Sequence, residues 1–435
     1  MTTNSELTKT APRTPEATLR EVIGALAPIE RAAGSEGERE AALWIADRLT
    51  AAGAPARVEE TRFRGDFAGV VAALSAAGAA AGALATTKRG RKLGGLAGAL
   101  AGGLIADDIS NGARPFRKLV RPERTTWNVV AEAGEEEAGR TVVVLAHHDA
   151  AQTGFIFDPR FQERLIDHLP GVVERIDTSL PLWWPVVAGP LLAAAGALSG
   201  RKALAAAGGV ISAGAAATMA DIQRSPTVPG ANDNLTAVAV IVALAEALAA
   251  NPVRGLRVQL VSVGAEEVLQ GGIYDYCERH LAGRDRERTF FLNVETVGGP
   301  SLALLEGEGC VVMEDYFDRP FRDLIGRVAE REGIPLRRGM RSRTSTDSVV
   351  PSRMGVPTAT VVAINRYKAL SNYHRMTDVP ENICWPTVAC AADLSEAVVR
   401  ALAPGSAASG AAAGSPRARR RGRSGRETGG RNSPP

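Results

Sequence analysis

The stretch "TVVVLAHHDA", residues 141–150, runs four apolar residues, Val142 to Leu145, straight into His147, His148 and Asp149. A continuous apolar run of this length reads as a strand buried on both faces, in a sheet that carries helices on either side. Imidazole and carboxylate groups are costly to bury without partners. A buried strand that ends in them therefore predicts partners at its carboxyl end, where open α/β sheets bind ligands.

Working outward, the same design recurs. "LRVQLVSVGAEE" (256–267) is an apolar strand ending in Glu266 and Glu267, and "TFFLNVETVGG" (289–299) is one ending in Glu295. "ARVEETRF" (56–63), "TWNVVAEA" (126–133) and "PTATVVAI" (357–364) read as further strands. Helical patterns lie between them: two amphipathic helices split near 33–37, an apolar helix over 235–250, an amphipathic one over 319–332, and a last one over 386–403. Ser35 with Glu38 three residues on is the signature of a capped helix start. Strands alternating with helices predict an α/β fold with a mixed, mainly parallel central sheet flanked by helices.

The chain has 435 residues, 45% of them hydrophobic, enough for a large core and more than one structural unit. Net charge is +3, and the segment 416–435 holds seven arginines and one glutamate, so the remainder is mildly acidic. That Gly/Ser/Pro-rich basic tail, 404–435, lacks core-forming residues and is expected to be disordered. Nothing else points to nucleic acid. The four cysteines (277, 310, 384 and 390) form no CxxC pair, so they read as thiols in a reducing compartment. Residues 1–14 are expected to be a flexible lead, without the apolar core of a signal peptide.

Two regions break the α/β rhythm. Residues 67–87 are uncharged, followed by "KRGRK" (88–92) and an uncharged 93–106; residues 178–200 are uncharged, followed by Arg201-Lys202 and an uncharged 203–220. Each region, 67–106 and 178–220, is expected to be an inserted apolar helical hairpin. Three of the four segments are long enough to cross a bilayer. Abundant Gly and Ala favour close helix contact in lipid, and Trp183 and Trp184 sit where interfacial anchors would. The reading is a membrane-associated protein contacting lipid through the hairpins, its α/β part in the cytoplasm; the alternative is a soluble cytoplasmic protein with a helical arm.

The polar residues gathered at strand and segment ends form a set: His147 and Asp149, Asp233 in "GANDN", Glu266 and Glu267, Glu295, and His374 in "NYHRMTD". Singly, each has an ordinary explanation as filler, turn or solvated charge. Together, two histidines and several carboxylates suit divalent ions that take oxygen and nitrogen ligands. Cations would also offset the repulsion among clustered carboxylates.

The ordered series "AHHDA", "GANDN", "GAEE", "NVET" and "YH" resembles the co-catalytic di-zinc aminopeptidases, the clan that also holds glutaminyl cyclases and glutamate carboxypeptidases. The resemblance covers roughly 20–64 and 125–400, apart from the stretch around 155–228. It implies a zinc-exopeptidase sandwich over 15–66 and 107–403, two zinc ions per chain, and peptide substrates. By motif, His147, Asp233, Glu267, Glu295 and His374 are the metal ligands. Asp233 bridges, and the resemblance implies that the following peptide bond, Asp233–Asn234, is one that is often cis in the family. Asp149 orients His147, a supporting role behind the ligands. Glu266 is the general base. Glu295 stands where the family usually has aspartate, and it must back away by one methylene. Asp347 in "TSTDSVV" keeps one residue of a motif that usually reads Ser-Asp-His, with Ser348 in place of the histidine. Asp347 and Tyr373 are thus expected at the substrate pocket. His148 should point to the opposite face of its strand.

The implied activity is a zinc aminopeptidase. The alternatives are a glutaminyl-cyclase-like acyltransferase, a carboxypeptidase or dipeptidase using Arg341, Arg343 or Arg366, and a non-catalytic membrane protein with a peptidase-like binding domain. Asp149 and Asp233 stand 84 positions apart with the second hairpin between them. That hairpin is therefore expected to emerge beside the site and to pack with the first.

Overall fold

The computed structural model describes residues 11–168, 171, 175–181 and 183–405. Residues 1–10 of the expected N-terminal lead and 406–435 of the expected tail lie outside the described residues. Arg13 and Thr14, at the end of that lead, are tied down: their backbone amides donate to the Asp393 carboxylate at 2.7 and 3.0 Å.

Nine strands form one mixed sheet: β1 (Ala56–Phe63), β2 (Arg124–Glu132), β3 (Thr141–His147), β4 (Arg257–Val263), β5 (Thr289–Glu295), β6 (Ser301–Glu308), β7 (Glu314–Asp315), β8 (Arg337–Ser342) and β9 (Thr358–Ile364). Its order is β1-β2-β4-β3-β5-β9-β6-β7, with β8 beside β6. The centre, β4-β3-β5-β9, is parallel, and antiparallel pairs close both margins. Parallel register sets His147 beside Val263 and Glu295 beside Val362. The functional ends of β3, β4 and β5 thus share one edge.

Side-chain alternation sorts the apolar run at 141–147 between two cores. Val142, Val144 and Ala146 share the first core with α1 (Glu16–Leu26), α2 (Glu36–Ala51) and three further helices. Val143 and Leu145 face the opposite core.

Between β1 and β2 stand α3 (Phe67–Ala85) and α4 (Arg91–Ile109); between β3 and β4 stand α5 (Trp184–Ser199) and α6 (Lys202–Arg224). The four pack on one another as a bundle beside the sandwich. The remaining long helices are α7 (Leu235–Ala250), α8 (Gly271–Leu281), α9 (Arg319–Glu332) and α10 (Trp385–Leu402). α7, α9 and α10 complete the first core, and α8 covers the second.

The bundle corrects the expected segments. α4 continues past 106 through Asp107 and Asp108, and α6 past 220 to Arg224. Within the uncharged run 178–200, α5 begins at Trp184, with Pro185 in its first turn. Before it, Thr178 bridges to Arg341 of β8 in extended form. At 16 residues α5 is about 24 Å long, short of a bilayer core. Among the described residues two helices, α3 and α6, are long and apolar enough to cross a membrane by length and composition, where three segments were expected. Glycine explains the close packing: a Cβ on Gly82 of α3 would come within 2.5 Å of Gly209 Cα of α6.

Gly82→Leu should therefore force α3 and α6 apart and lower bundle stability by about 3 kcal/mol, an overpacking cost. Gly103→Ala, on an α4 face with nothing within 4 Å, should instead raise helix stability by up to ~1 kcal/mol. Thermal unfolding of the two variants in one buffer separates these outcomes.

Candidate metal centre

The strand ends bring the polar set together. His147 closes β3, and its Nε2 lies 3.3 Å from Glu295 Oε1, 3.4 Å from Asp233 Oδ1 and 3.9 Å from Glu266 Oε2. On the other side, His374 Nε2 lies 3.0 Å from Glu267 Oε2 and 3.5 Å from Asp233 Oδ2. Asp233 sits between the histidines and turns one oxygen toward each. Three overlapping groups can hold an ion, with ligand atoms within 4.8 Å of one another: His147/Asp233/Glu295, Asp233/Glu267/His374 and His147/Glu266/Glu267.

Asp233 lies two residues before α7, beside Asn234, which flanks the helix start. The Asp233–Asn234 peptide is cis. Asn234 Nδ2 donates to Val294 O at 3.1 Å, and its Oδ1 accepts from Thr296 N at 2.8 Å, so the loop is stitched to the end of β5. The Thr296 hydroxyl lies 3.2 Å from Asp233 Oδ1 and 3.1 Å from Glu295 Oε1.

Asp149 does more than meet its histidine. His147 Nδ1 stands 3.3 Å from the Asp149 carbonyl and 3.4 Å from its Oδ1. The Asp149 carboxylate accepts from the backbone amides of Glu266 and Glu267, both at 3.0 Å. One side chain thus fixes the β3 end to the turn that presents both glutamates. That turn is tightly curved: Ala265, Leu269 and Gln270 are non-glycine residues in the left-handed region, each costing roughly 1 kcal/mol. Glu38, the residue of the α2 cap signature, reaches into it. Its Oε1 accepts from Ala265 N and Thr126 Oγ1, both at 2.8 Å. Burial, reinforced by Asp149, pushes the Glu38 carboxyl up to about 8.

Electrostatics mark the cluster as short of positive charge. Burial drives Glu266 and Glu267 well above the carboxylate range, and neighbouring carboxylates add to it. Burial alone would lower His147, but Glu295, Asp149 and Asp233 hold its imidazole well above the usual value. Burial lowers His374 to about 4, which favours the neutral imidazole that ligates metal. Asp233 Oδ2, Glu267 Oε1 and Glu295 Oε2 are buried and, among the described residues, accept no hydrogen bond. Orphaned buried oxygens call for a partner, and a cation fits this donor set.

Tyr373 stacks on His374, ring centroids 3.8 Å apart. Asp347 is fully buried, both its oxygens without hydrogen bonds among the described residues, and burial holds it well above the usual range. His148 points away from the cluster and its Nδ1 meets Ser262 Oγ at 2.9 Å. It is a fully buried packing residue, not one at the rim.

Sequence reasoning missed two supports. The Asp378 carboxylate accepts from the amides of Asn232 and Asp233 at 2.8 and 3.0 Å. Arg31, fully buried, donates to His148 O at 2.9 Å and Pro229 O at 2.8 Å, tying β3 to the Asp233 loop. Asp378 follows His374 by four positions, the one signal that could have drawn attention to it. Arg31 sits in an unpatterned loop and gave none.

Two cavities flank the cluster. One of about 370 Å³ includes Glu295, Phe157, Met340, Ile364 and Tyr373 in its wall. The other, about 310 Å³, includes Glu267, His374 and the roots of α3 and α6 at Phe67 and Ile222. Asp347 lines neither of them; Thr346 stands at the wall of the larger one instead. Phe157 packs edge-on against His374 with centroids 4.6 Å apart, and against the bundle core. The segment leading to the second helix pair does emerge beside the cluster.

Residues 217–399 match the profile of Peptidase family M28. The fold is similar to that of an aminopeptidase from Aneurinibacillus sp. strain AM-1, with TM-score 0.53 and 15% identity over 92% of this chain and 96% of that one. It is similar to a Tannerella forsythia glutaminyl cyclase, at TM-score 0.52 and 14% identity over 89% and 99%. A leucine aminopeptidase precursor from Bacteroides thetaiotaomicron VPI-5482 gives 0.51 and 13% over 90% and 98%. The search of curated proteins gave no match.

Asp378→Ala should leave the amides of Asn232 and Asp233 buried without acceptors. The expected loss is about 2 kcal/mol or more of stability, read as a lower urea midpoint at unchanged slope.

Proposed function

We propose that this chain, whose residues 217–399 match the Peptidase family M28 profile, is a zinc-dependent exopeptidase acting as an aminopeptidase and attached to a membrane by its helical bundle. The observation that carries the reading is Asp233, which turns one oxygen toward each histidine and is shared by two of the three ligand groups. His147 and Glu295 would complete the first ion's shell, Glu267 and His374 the second's. The longer Glu295 side chain still brings Oε1 to 3.3 Å from His147 Nε2, which supports its place in the first shell. A glutaminyl-cyclase-like centre built around one ion would leave the His147–Glu295 side without a task.

When bound, paired divalent ions polarise a scissile carbonyl and acidify water. The chain's own groups do the rest. Glu266 takes the proton of the attacking water and returns it to the leaving amine. Asp149 holds the amides of Glu266 and Glu267, so base and ligand keep a fixed relation. Phe157 and Tyr373 wall the centre and exclude bulk water. The larger cavity receives the substrate's terminal residue, and Asp347 shapes the loop behind its wall.

Membrane attachment is supported by the bundle's outer surface. Leu96 is 69% exposed, Val210 73% and Leu198 86%. Leu93 and Leu100 of α4 are exposed as well, so α4, α5 and α6 each present apolar side chains outward. Both helix pairs return to the sandwich, so the catalytic part stays on one side, which we place in the cytoplasm.

Glu266→Gln should lower kcat for an aminoacyl p-nitroanilide by roughly 10³-fold while zinc content is unchanged. Unaltered turnover would remove Glu266 from the role of base. The full chain should also co-float with phospholipid vesicles, and a monodisperse, detergent-free protein that stays behind would contradict attachment.

A further inference from the structure

The Glu266 carboxylate is held by a chain of hydrogen bonds that leads back to the end of α4. Its Oε1 accepts from Gln270 Nε2 at 2.8 Å. Gln270 Oε1 accepts from Ser345 Oγ at 3.4 Å, and Ser345 Oγ accepts from Asn111 Nδ2 at 2.7 Å. Asn111 Oδ1 accepts from the Arg114 guanidinium. All four donors point the same way, from a cation at one end to a carboxylate at the other. Hydrogen bonds arranged so polarise one another, more strongly away from water. Gln270 is 1% exposed and Asn111 8%.

Asn111 and Arg114 immediately follow α4, the second helix of the first apolar pair. The same root grips the turn at a second point. Arg117, fully buried, holds the Asp108 carboxylate in the last turn of α4 and donates Nη1 to Val268 O at 2.9 Å. Val268 belongs to the turn that presents Glu266 and Glu267. Three left-handed non-glycine residues make that turn dependent on outside support. The residues that supply it, 108–117, lie outside the segment matched by the family profile.

We propose that the root of α4 positions the general base: Asn111 with Arg114 through Ser345 and Gln270, and Arg117 with Asp108 through Val268. The inference rests on the reading of Glu266 as base. These are positioning residues that touch no substrate. The helical bundle is thus part of the catalytic apparatus as well as an anchor. A displacement of α4 reaches Glu266 through two chains of contacts.

The test uses the full chain in phospholipid vesicles with an aminoacyl p-nitroanilide, comparing wild type, Asn111→Asp, Gln270→Leu and the double variant. Asn111→Asp keeps the size and the acceptor for Arg114 but removes the donor to Ser345. Each single variant should lower kcat about tenfold with KM and zinc content unchanged. The double variant should fall no further than the worse single one, because both cuts interrupt one chain. Additive losses, or losses appearing in KM or zinc content, would overturn the proposal. A readout independent of turnover is backbone hydrogen exchange. In Asn111→Asp, amides at 264–272 should exchange about tenfold faster, while those at 235–250 stay the same. Unchanged exchange at 264–272 also overturns it. If wild type holds zinc but leaves the probe intact, the aminopeptidase reading fails and the exchange result alone decides the positioning role.

Discussion

Like charges packed into a buried pocket at one sheet edge are the constraint on which this molecule depends. Asp149, Asp233, Glu266, Glu295 and Asp347 are all buried, with Glu267 beside them. Burial and mutual repulsion together push several of these carboxyls far above their usual range. No packing gain offsets such a cluster unless positive charge is supplied. Only two histidines, His147 and His374, face it, and burial drives one of them toward its neutral form. The remaining demand is what paired divalent cations satisfy.

The surrounding architecture serves that pocket. Parallel register lines up the ends of β3, β4 and β5, and buried polar side chains cross-link the loops and turns at those ends. Asp149 joins β3 to the glutamate turn, Asn234 joins the α7 start to β5, Arg31 joins β3 to the Asp233 loop, and Asp378 fixes that loop from behind. Each link satisfies backbone groups that would otherwise be orphaned at helix and strand ends. Rigidity at the site and hydrogen-bond satisfaction are therefore the same interactions.

Much of this was legible in the sequence because the central strands are buried on both faces and write continuous apolar runs. "TVVVLAHHDA" carries both the strand and the side-chain alternation that sends His148 away from His147. α7 and α9 were read to their observed ends, since their apolar or amphipathic periods are uninterrupted. The margin was not legible: β8, "RRGMRS", is mostly polar, and β6 and β7 carry no period that separates them from loop. Helix ends in the bundle shifted because absence of charge does not mark where a helix begins. Trp184 with Pro185 does. Arg31, Asp378 and the Asn111–Gln270 chain escaped because buried polar contacts join residues far apart along the chain and leave no local pattern.

The central claim is that Asp233 holds two cations at once. The most direct measurement is zinc bound per chain, by elemental analysis of the purified full-length protein after removal of loosely held ions. Two zinc ions per chain is the predicted result. A single ion that does not rise when zinc is offered back, or none, would contradict it.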